Sequence, residues 1–84
     1  MSAPRRRAAS AFGRALRTAR LLRKLSQEQL AEAGDFDRTY PSLLERGRRT
    51  PTFFVILCLA KGLNMDPVAL FKDAVAHLPP DFPP

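Results

Sequence analysis

Residues 26–47 read SQEQLAEAGDFDRTYPSLLERG, and they contain the start and stop signals of two short helices joined by a tight turn. Ser26, with Gln29 three residues later, matches a capping box, in which each side chain satisfies a free backbone N–H at a helix start. This helix is predicted to end near Ala33, because Gly and Asp at 34–35 break helices. A second short helix follows at once.

The sequence on both sides of this stretch predicts three more helices. No segment alternates apolar and polar residues, as a half-buried strand would, whereas several segments repeat with the helical period. In chain order, the predicted helices cover about residues 11–23 after a cap at Ser10, 27–33 after Ser26, 38–46 after a cap at Asp37, 52–61 after the break at 50–52, and 67–77 after a cap at Asp66. The apolar density of residues 53–60 marks the fourth helix as the buried centre. The fold class is therefore all-α, with five helices.

The ends of the chain differ in composition from this domain. Residues 1–25 contain eight basic residues and no acidic one, and Arg5, Arg6 and Arg7 fall at their start. We interpret residues 1–9 as a basic flexible arm, residues 10–78 as the folded domain and residues 79–84 as an extended Pro-rich tail. An acid-free, Arg-rich start is also typical of an organelle transit peptide, but cleavage of such a peptide would remove the first helix.

The composition restricts the function. A chain of 84 residues supports one modest core, which excludes large multidomain enzymes. The net charge of +6 favours an anionic partner. One cysteine, Cys58, and one histidine, His77, cannot form a disulfide framework or a Cys/His zinc site within the chain. The longest apolar run, 53–60, is far shorter than the roughly 20 residues of a membrane span. We therefore expect no metal, no cofactor and no membrane contact.

Two short helices followed by Arg-Gly-Arg-Arg indicate a helix-turn-helix DNA reader. Residues 12–71 resemble the phage-repressor and Cro-type helix-turn-helix family, also called the XRE family. The matching residues are Phe12-Gly13, Leu16, Arg20, Leu25-Ser26-Gln27, Leu30-Ala31-Glu32, Leu44-Glu45-Arg46-Gly47, Pro51-Thr52, Leu59-Ala60, Leu63 and Leu70-Phe71. The resemblance implies that the third helix enters the major groove of DNA and that the second lies across its mouth.

Base reading requires side chains at the start and on the exposed face of the third helix. These are Asp37, Arg38, Thr39, Ser42 and Leu43. A guanidinium can bond guanine O6 and N7 together, so Arg38 is the leading candidate, with a phosphate or a nearby carboxylate as its alternative partners. Thr39 and Ser42 can bind a base or a phosphate. Leu43 can contact a thymine methyl group or lie on the surface.

Phosphate contacts are expected from groups around this helix. The resemblance assigns a phosphate-binding glutamine to Gln27, and Arg46, Arg48 and Arg49 form a basic loop after the third helix. We assign Tyr40 to packing or to a phosphate contact. The arm, Arg5 to Arg7, either enters a minor groove or adds only non-specific affinity.

Other polar residues have structural interpretations. The resemblance places Arg20 and Glu45 in a buried ion pair between the first and third helices. Cys58 is interpreted as core and His77 as a solvated residue. Asp35 stands where the family usually has Gly, a position that Asp tolerates in the left-handed conformation. Pro41 replaces a usual Ile or Val and predicts an irregular start of the third helix.

One recognition helix covers few base pairs, so such regulators usually dimerise on two half-sites. A stripe on the fifth helix is predicted to be a homodimer seam and consists of Val68, Phe71, Val75 and Leu78. The alternative is that Val68 and Phe71 only close the core.

The predicted function is a sequence-specific transcriptional regulator, a homodimer on palindromic double-stranded DNA in a bacterial or phage cytoplasm, at the nucleoid. Residues 37–40 resemble a segment of restriction-modification controller proteins. The alternative is a module such as an antitoxin that binds an unknown protein through Leu21, Leu22 and Leu43. An enzyme is not expected, because the sequence has no nucleophile and base set and no phosphate-binding glycine loop.

Overall fold

A computed structural model describes all 84 residues and contains five α-helices and no strand, which confirms the predicted fold class. The helices are α1 (Ala3–Leu22), α2 (Gln27–Gly34), α3 (Tyr40–Glu45), α4 (Phe53–Leu63) and α5 (Pro67–Val75). The core consists of 11 residues drawn from all five helices, among them Leu16, Leu30, Leu44, Leu59 and Leu70, none of which is exposed to solvent.

Helix α1 begins two turns earlier than the sequence predicted, so the prediction of a flexible arm over residues 1–9 is wrong. Ser2 is the N-cap, and its side chain accepts a hydrogen bond from the backbone N–H of Arg5. Pro4 stands in the first turn, where its missing N–H would have no helical partner anyway. The arginines that follow are good helix formers. Ser10, predicted as the cap, instead lies within the helix against the backbone of Gly47.

The turn between α2 and α3 forms as the capping and breaker signals indicated. The capping box of Ser26 and Gln29 is present, with hydrogen bonds of 3.0 and 2.8 Å. Asp35 adopts the left-handed conformation, with φ of 61°. Gly34 is needed just before it, because a Cβ atom there would lie 2.6 Å from the ring of Phe36.

Regular helix in α3 begins at Tyr40 after an N-cap at Thr39, so the prediction of a helix capped directly by Asp37 is wrong by two residues. Residues 37–40 form a turn closed by a hydrogen bond of 3.0 Å from the N–H of Tyr40 to the carbonyl of Asp37. Pro41 is therefore in the first helical turn and costs no helical hydrogen bond. Its ring is buried in the domain.

Helix α1 packs closely on α3 because residue 13 is glycine. A Cβ atom at Gly13 would overlap the carbonyl oxygens of Leu44 and Glu45. This close approach places the last turn of α3 beside the middle of α1, and it aligns the two helices for the ion pair described below.

Helix α4 is less buried than its apolar sequence suggested, so the prediction that it is the buried centre needs correction. Leu59, Ala60 and Leu63 enter the core, whereas the side chains of Phe53 and Phe54 are 78% and 70% exposed. Helix α5 is capped by Asp66 as predicted and ends at Val75, before His77. The tail is not fully extended, because the N–H of Phe82 bonds the carbonyl of Pro79 in a turn.

Candidate nucleic-acid interface

The outer side of α2 and α3 forms an open groove, called here the recognition groove. It is lined by Ser26, Gln27, Glu28, Arg38, Thr39, Ser42, Leu43 and Arg46. Four of the five predicted base-reading residues therefore share one groove with Gln27 and Arg46, which were predicted to bind phosphate. The fifth, Asp37, lies beside the groove and contacts one of its lining residues.

Asp37 and Thr39 form a hydrogen-bonded unit at the entry to α3. One carboxylate oxygen, Oδ1, accepts from the backbone N–H of Thr39 at 2.9 Å and from its hydroxyl at 2.6 Å. These two bonds lower the pKa of the Asp37 carboxyl below its ordinary value, the hydroxyl contributing most. Neither side chain is buried, so both are accessible from outside.

Arg38 extends from the turn between these two residues. Its side chain is exposed and lines the recognition groove. It makes no salt bridge, since the single ion pair of the chain joins Arg20 and Glu45. The guanidinium and its donors are therefore free for an external acceptor.

Ser42 and Leu43 form the floor of the groove one turn further along α3. Both are half-buried. The apolar side chain of Leu43 lies among polar neighbours, where it offers a surface for a methyl group. Tyr40 points elsewhere: its ring packs against that of Phe36, with centroids 5.4 Å apart, and joins the edge of the core. This contact favours the packing interpretation of Tyr40.

The ion pair implied by the resemblance is present and is almost fully buried. The Nε and Nη2 atoms of Arg20 donate to the two carboxylate oxygens of Glu45 at 2.7 and 2.9 Å, and their side chains are 8% and 2% exposed. The third nitrogen of the guanidinium, Nη1, donates to the carbonyl of Leu25 at 2.8 Å. The hydrogen bond from Arg20 to Glu45 raises the pKa of the guanidinium further, against the effect of burial.

Gln27 also bonds this pair, which the sequence analysis did not predict. Its Nε2 donates to Oε1 of Glu45 at 3.2 Å, so α2 is joined to the same carboxylate as α1. One amide proton of Gln27 is used inside the domain, and the other is left for a ligand in the groove. No local pattern reports this contact, because the two residues are 18 positions apart.

Basic side chains surround the end of α3. Arg46, Arg48 and Arg49 are exposed in the segment that follows the helix. Arg5, Arg6 and Arg7 are exposed on the first two turns of α1. Ser10, in the turn of α1 that follows these arginines, contacts Gly47, whereas Arg6 and Arg7 themselves line a pocket with His77 and Pro79.

A second surface is apolar and is built from α4 and α5. Its exposed members, called here the apolar face, are Phe53, Phe54, Leu57, Val68, Phe71 and Val75. Three of the four predicted seam residues belong to it. The prediction that Leu78 continues the stripe on the fifth helix is wrong, because α5 ends at Val75 and Leu78 is half-buried in a separate pocket beside α1. The contribution of α4 was missed, because its apolar run gave no sign of which side faces solvent.

Two further features bear on the class of protein. No three His, Cys, Asp or Glu side chains are close enough together to hold a metal ion. No single helix is long and apolar enough to cross a membrane; α4 and α5 reach that length only together, and they are bent by 110°.

Comparisons with known proteins agree with this geometry. A family model described as "Helix-turn-helix domain" matches residues 11–71. Control protein C.SmaI of Serratia marcescens is 45% identical over 49 residues, and the match covers 58% of this chain and 58% of that relative.

Two solved structures have the same architecture. The restriction-modification controller protein C.AhdI of Aeromonas hydrophila is 41% identical, with a TM-score of 0.72 over 75% of this chain and 96% of that one. The clp gene regulator ClgR of Corynebacterium glutamicum is 26% identical, with a TM-score of 0.81 over 88% and 96%. The chain therefore belongs to the helix-turn-helix domain family.

Proposed function

We propose that this chain is a controller-type regulator that reads a specific DNA sequence by placing α3 in the major groove and α2 across its mouth. The recognition groove is the observation that carries the proposal. It gathers a free guanidinium at Arg38, two hydroxyls at Thr39 and Ser42 and an apolar contact at Leu43 on one accessible surface. This is the mixture of donors, acceptors and methyl-binding groups that base edges require.

Phosphate contacts would surround these base contacts. Gln27 has an amide proton left over from its bond to Glu45, and Arg46 also lines the groove. Arg48 and Arg49 extend this basic border. Positioning of this kind holds the register of the protein on the duplex without carrying sequence information.

The basic turns of α1 would extend the footprint. Because α1 is helical from Ala3, Arg5 to Arg7 are displayed by a rigid element beside the loop at Gly47. We assign them to phosphates that flank the major-groove site.

We further propose that two copies associate through the apolar face and bind two half-sites of a palindromic operator. Four of its exposed side chains, Phe53, Leu57, Val68 and Phe71, line one apolar pocket between α4 and α5, and Phe54 and Val75 are exposed on the same two helices. Monomers rarely leave large apolar patches uncovered. Association of identical faces is two-fold symmetric, which matches the symmetry of a palindrome. The three named relatives are a control protein, a restriction-modification controller and a gene regulator. The nucleoid is the place where such a protein would act.

The alternative, a protein-binding module such as an antitoxin, would use Leu21, Leu22 and Leu43. Leu21 and Leu22 are exposed at the end of α1, but Leu43 lines the recognition groove and they do not. The recognition groove thus includes only one of the three leucines but four of the five predicted base-reading residues, which favours DNA binding.

The decisive experiment selects bound sequences from random DNA and then measures affinity over a salt series. We expect one enriched palindromic motif and an affinity that falls steeply with salt, because bound phosphates release counterions. Arg38→Ala should weaken the preferred site about tenfold or more and random DNA much less. Lys72→Ala is the control, since Lys72 is an exposed base on α5. Failure to enrich any motif would favour the protein-binding alternative.

A further inference from the structure

The hydroxyl of Thr39 is already committed inside the protein. Its proton is donated to Oδ1 of Asp37 at 2.6 Å, and the backbone N–H of the same threonine reaches the same oxygen at 2.9 Å. Hydrogen bonds to an ionised carboxylate are shorter and about twice as strong as those between neutral groups. The side chain of Thr39 is thus held in one orientation before any ligand arrives.

A threonine hydroxyl has a single proton and two acceptor lone pairs. With the proton given to Asp37, only lone pairs remain for a molecule in the recognition groove. The second carboxylate oxygen of Asp37 is also an acceptor. The two donations from Thr39 lower the pKa of this carboxyl, so it stays ionised and offers no proton of its own.

Base edges in the major groove differ in this property. Adenine N6 and cytosine N4 present amino protons, whereas guanine O6 and N7 and thymine O4 present acceptors. On the basis of the DNA-binding function proposed above, we propose that Asp37 makes Thr39 an acceptor-only reader, which selects an adenine or cytosine amino group at its position in the operator. Asp37 acts through Thr39 and is a positioning residue.

The neighbouring side chain has the opposite polarity. The guanidinium of Arg38 has only donors, and no carboxylate pairs with it. Two adjacent residues therefore impose opposite requirements, with Arg38 facing base acceptors and Thr39 facing a base amino group. Guanine or thymine at the Thr39 position would place a carbonyl oxygen against the hydroxyl oxygen of Thr39. Both atoms are acceptors, so no hydrogen bond forms unless the hydroxyl proton leaves Asp37.

The first measurement locates the base pair that Thr39 reads. Sequences are selected with the wild type and with Thr39→Val, which keeps the shape and loses the hydroxyl. We expect the preference to disappear at one base pair of each half-site. An unchanged motif would overturn the inference, because Thr39 would then read no base through its hydroxyl.

The second measurement tests the polarity at that base pair. The amino group of the contacted base is removed by replacing adenine with purine, or cytosine with 2-pyrimidinone. We expect wild-type affinity to fall about tenfold and Thr39→Val affinity to change much less on the same DNA. Equal losses for both proteins would reject an amino contact, as would a loss that appears only when the keto oxygen of the paired base is removed.

The third measurement tests the role of Asp37. Asp37→Ala should free the hydroxyl, so that adenine, cytosine, guanine and thymine are all accepted at the Thr39 position while the Arg38 position keeps its preference. Asp37→Asn is the matched control, because an amide oxygen can still accept both bonds and should keep the selectivity. An unaltered preference in Asp37→Ala would reject the inference. A wild type that selects no motif would instead reject the proposed function.

Discussion

Gln27 donates its side-chain amide proton to Glu45 over 3.2 Å, and so joins the first residue of α2 to the last residue of α3. The same carboxylate holds Arg20 of α1 with two hydrogen bonds. One buried side chain therefore fixes the relative positions of three helices. The orientation of the recognition groove depends on this carboxylate as much as on the apolar core.

Loss of this carboxylate should destabilise the fold. Glu45→Ala leaves the guanidinium of Arg20 buried without its partner, and breaking a buried ion pair of this kind costs about 3–5 kcal/mol. Urea unfolding followed by circular dichroism measures the change. Arg17→Ala is the control, because Arg17 is an exposed arginine on α1, the helix that carries Arg20. Equal stability of the two variants would contradict a structural role for the pair.

Removal of the Gln27 side chain should act mainly on binding. Gln27→Ala removes one hydrogen bond to Glu45, for a cost of about 1 kcal/mol of stability, and the ion pair with Arg20 remains. The lost phosphate contact should weaken preferred and random DNA by the same factor, since phosphates carry no sequence information. The affinities of the wild type and of Gln27→Ala for the preferred site and for random DNA test this expectation. A selective loss on the preferred site would instead indicate that Gln27 contacts a base.

Charges on the apolar face should produce monomers. Phe71→Asp places a carboxylate where we expect a second copy to pack, and burial of an unpaired charge is strongly unfavourable. Sedimentation should show loss of the dimer, and affinity for the palindrome should fall toward that for one half-site. Leu22→Asp is the matched control, because Leu22 is 75% exposed but lies outside the apolar face. If Phe71→Asp remains dimeric, the seam lies elsewhere.

The basic turns of α1 should contribute to the salt dependence of binding. Replacement of Arg5, Arg6 and Arg7 by alanine keeps good helix formers in α1, so helicity and stability should change little. A plot of log affinity against log salt concentration has a negative slope, and each lost phosphate contact makes it shallower by about 0.9. For the triple alanine variant we expect the magnitude of the slope to fall by about 2 to 3. The triple lysine variant keeps the charge and should keep the slope. An unchanged slope in the alanine variant would mean that these residues do not touch DNA.

The Asp37 carboxyl should titrate below its ordinary range because Thr39 donates two hydrogen bonds to it. Folding lowers the pKa of the Asp37 carboxyl. Its ionised form therefore stabilises the fold fully at any pH above the pKa it has in the unfolded chain, and this stabilisation is lost as the pH falls through the pKa of the folded state. Thr39→Val removes the larger cause and should raise this pKa, whereas Thr39→Ser should keep it low. NMR titration of the carboxyl chemical shift measures this pKa in the wild type and in both variants. The same pKa in wild type and Thr39→Val would contradict the hydrogen bond.

Much of this fold is readable along the chain because helix ends are local. The cap at Ser26 with Gln29 and the cap at Asp66 bond backbone groups two or three residues away, and the left-handed turn at Asp35 depends on its own backbone. Such interactions leave a pattern of fixed spacing. The order of the helices and the position of the turn between α2 and α3 follow from them.

Tertiary packing decided which side chains are exposed and which distant polar groups bond each other. Such contacts join residues far apart in the sequence, so no local pattern predicts them. Phe53 and Phe54 look like core residues, yet they are 78% and 70% exposed, and Phe53 lines an open pocket between α4 and α5. The link from Gln27 to Glu45 exists only because α2 and α3 fold against each other. Sequence alone determined the order of the helices and placed the starts of α2 to α5 within two residues, whereas α1 begins eight residues earlier than its pattern indicated. Tertiary contacts determined which helix faces remain exposed and which polar groups are already hydrogen-bonded before DNA binds.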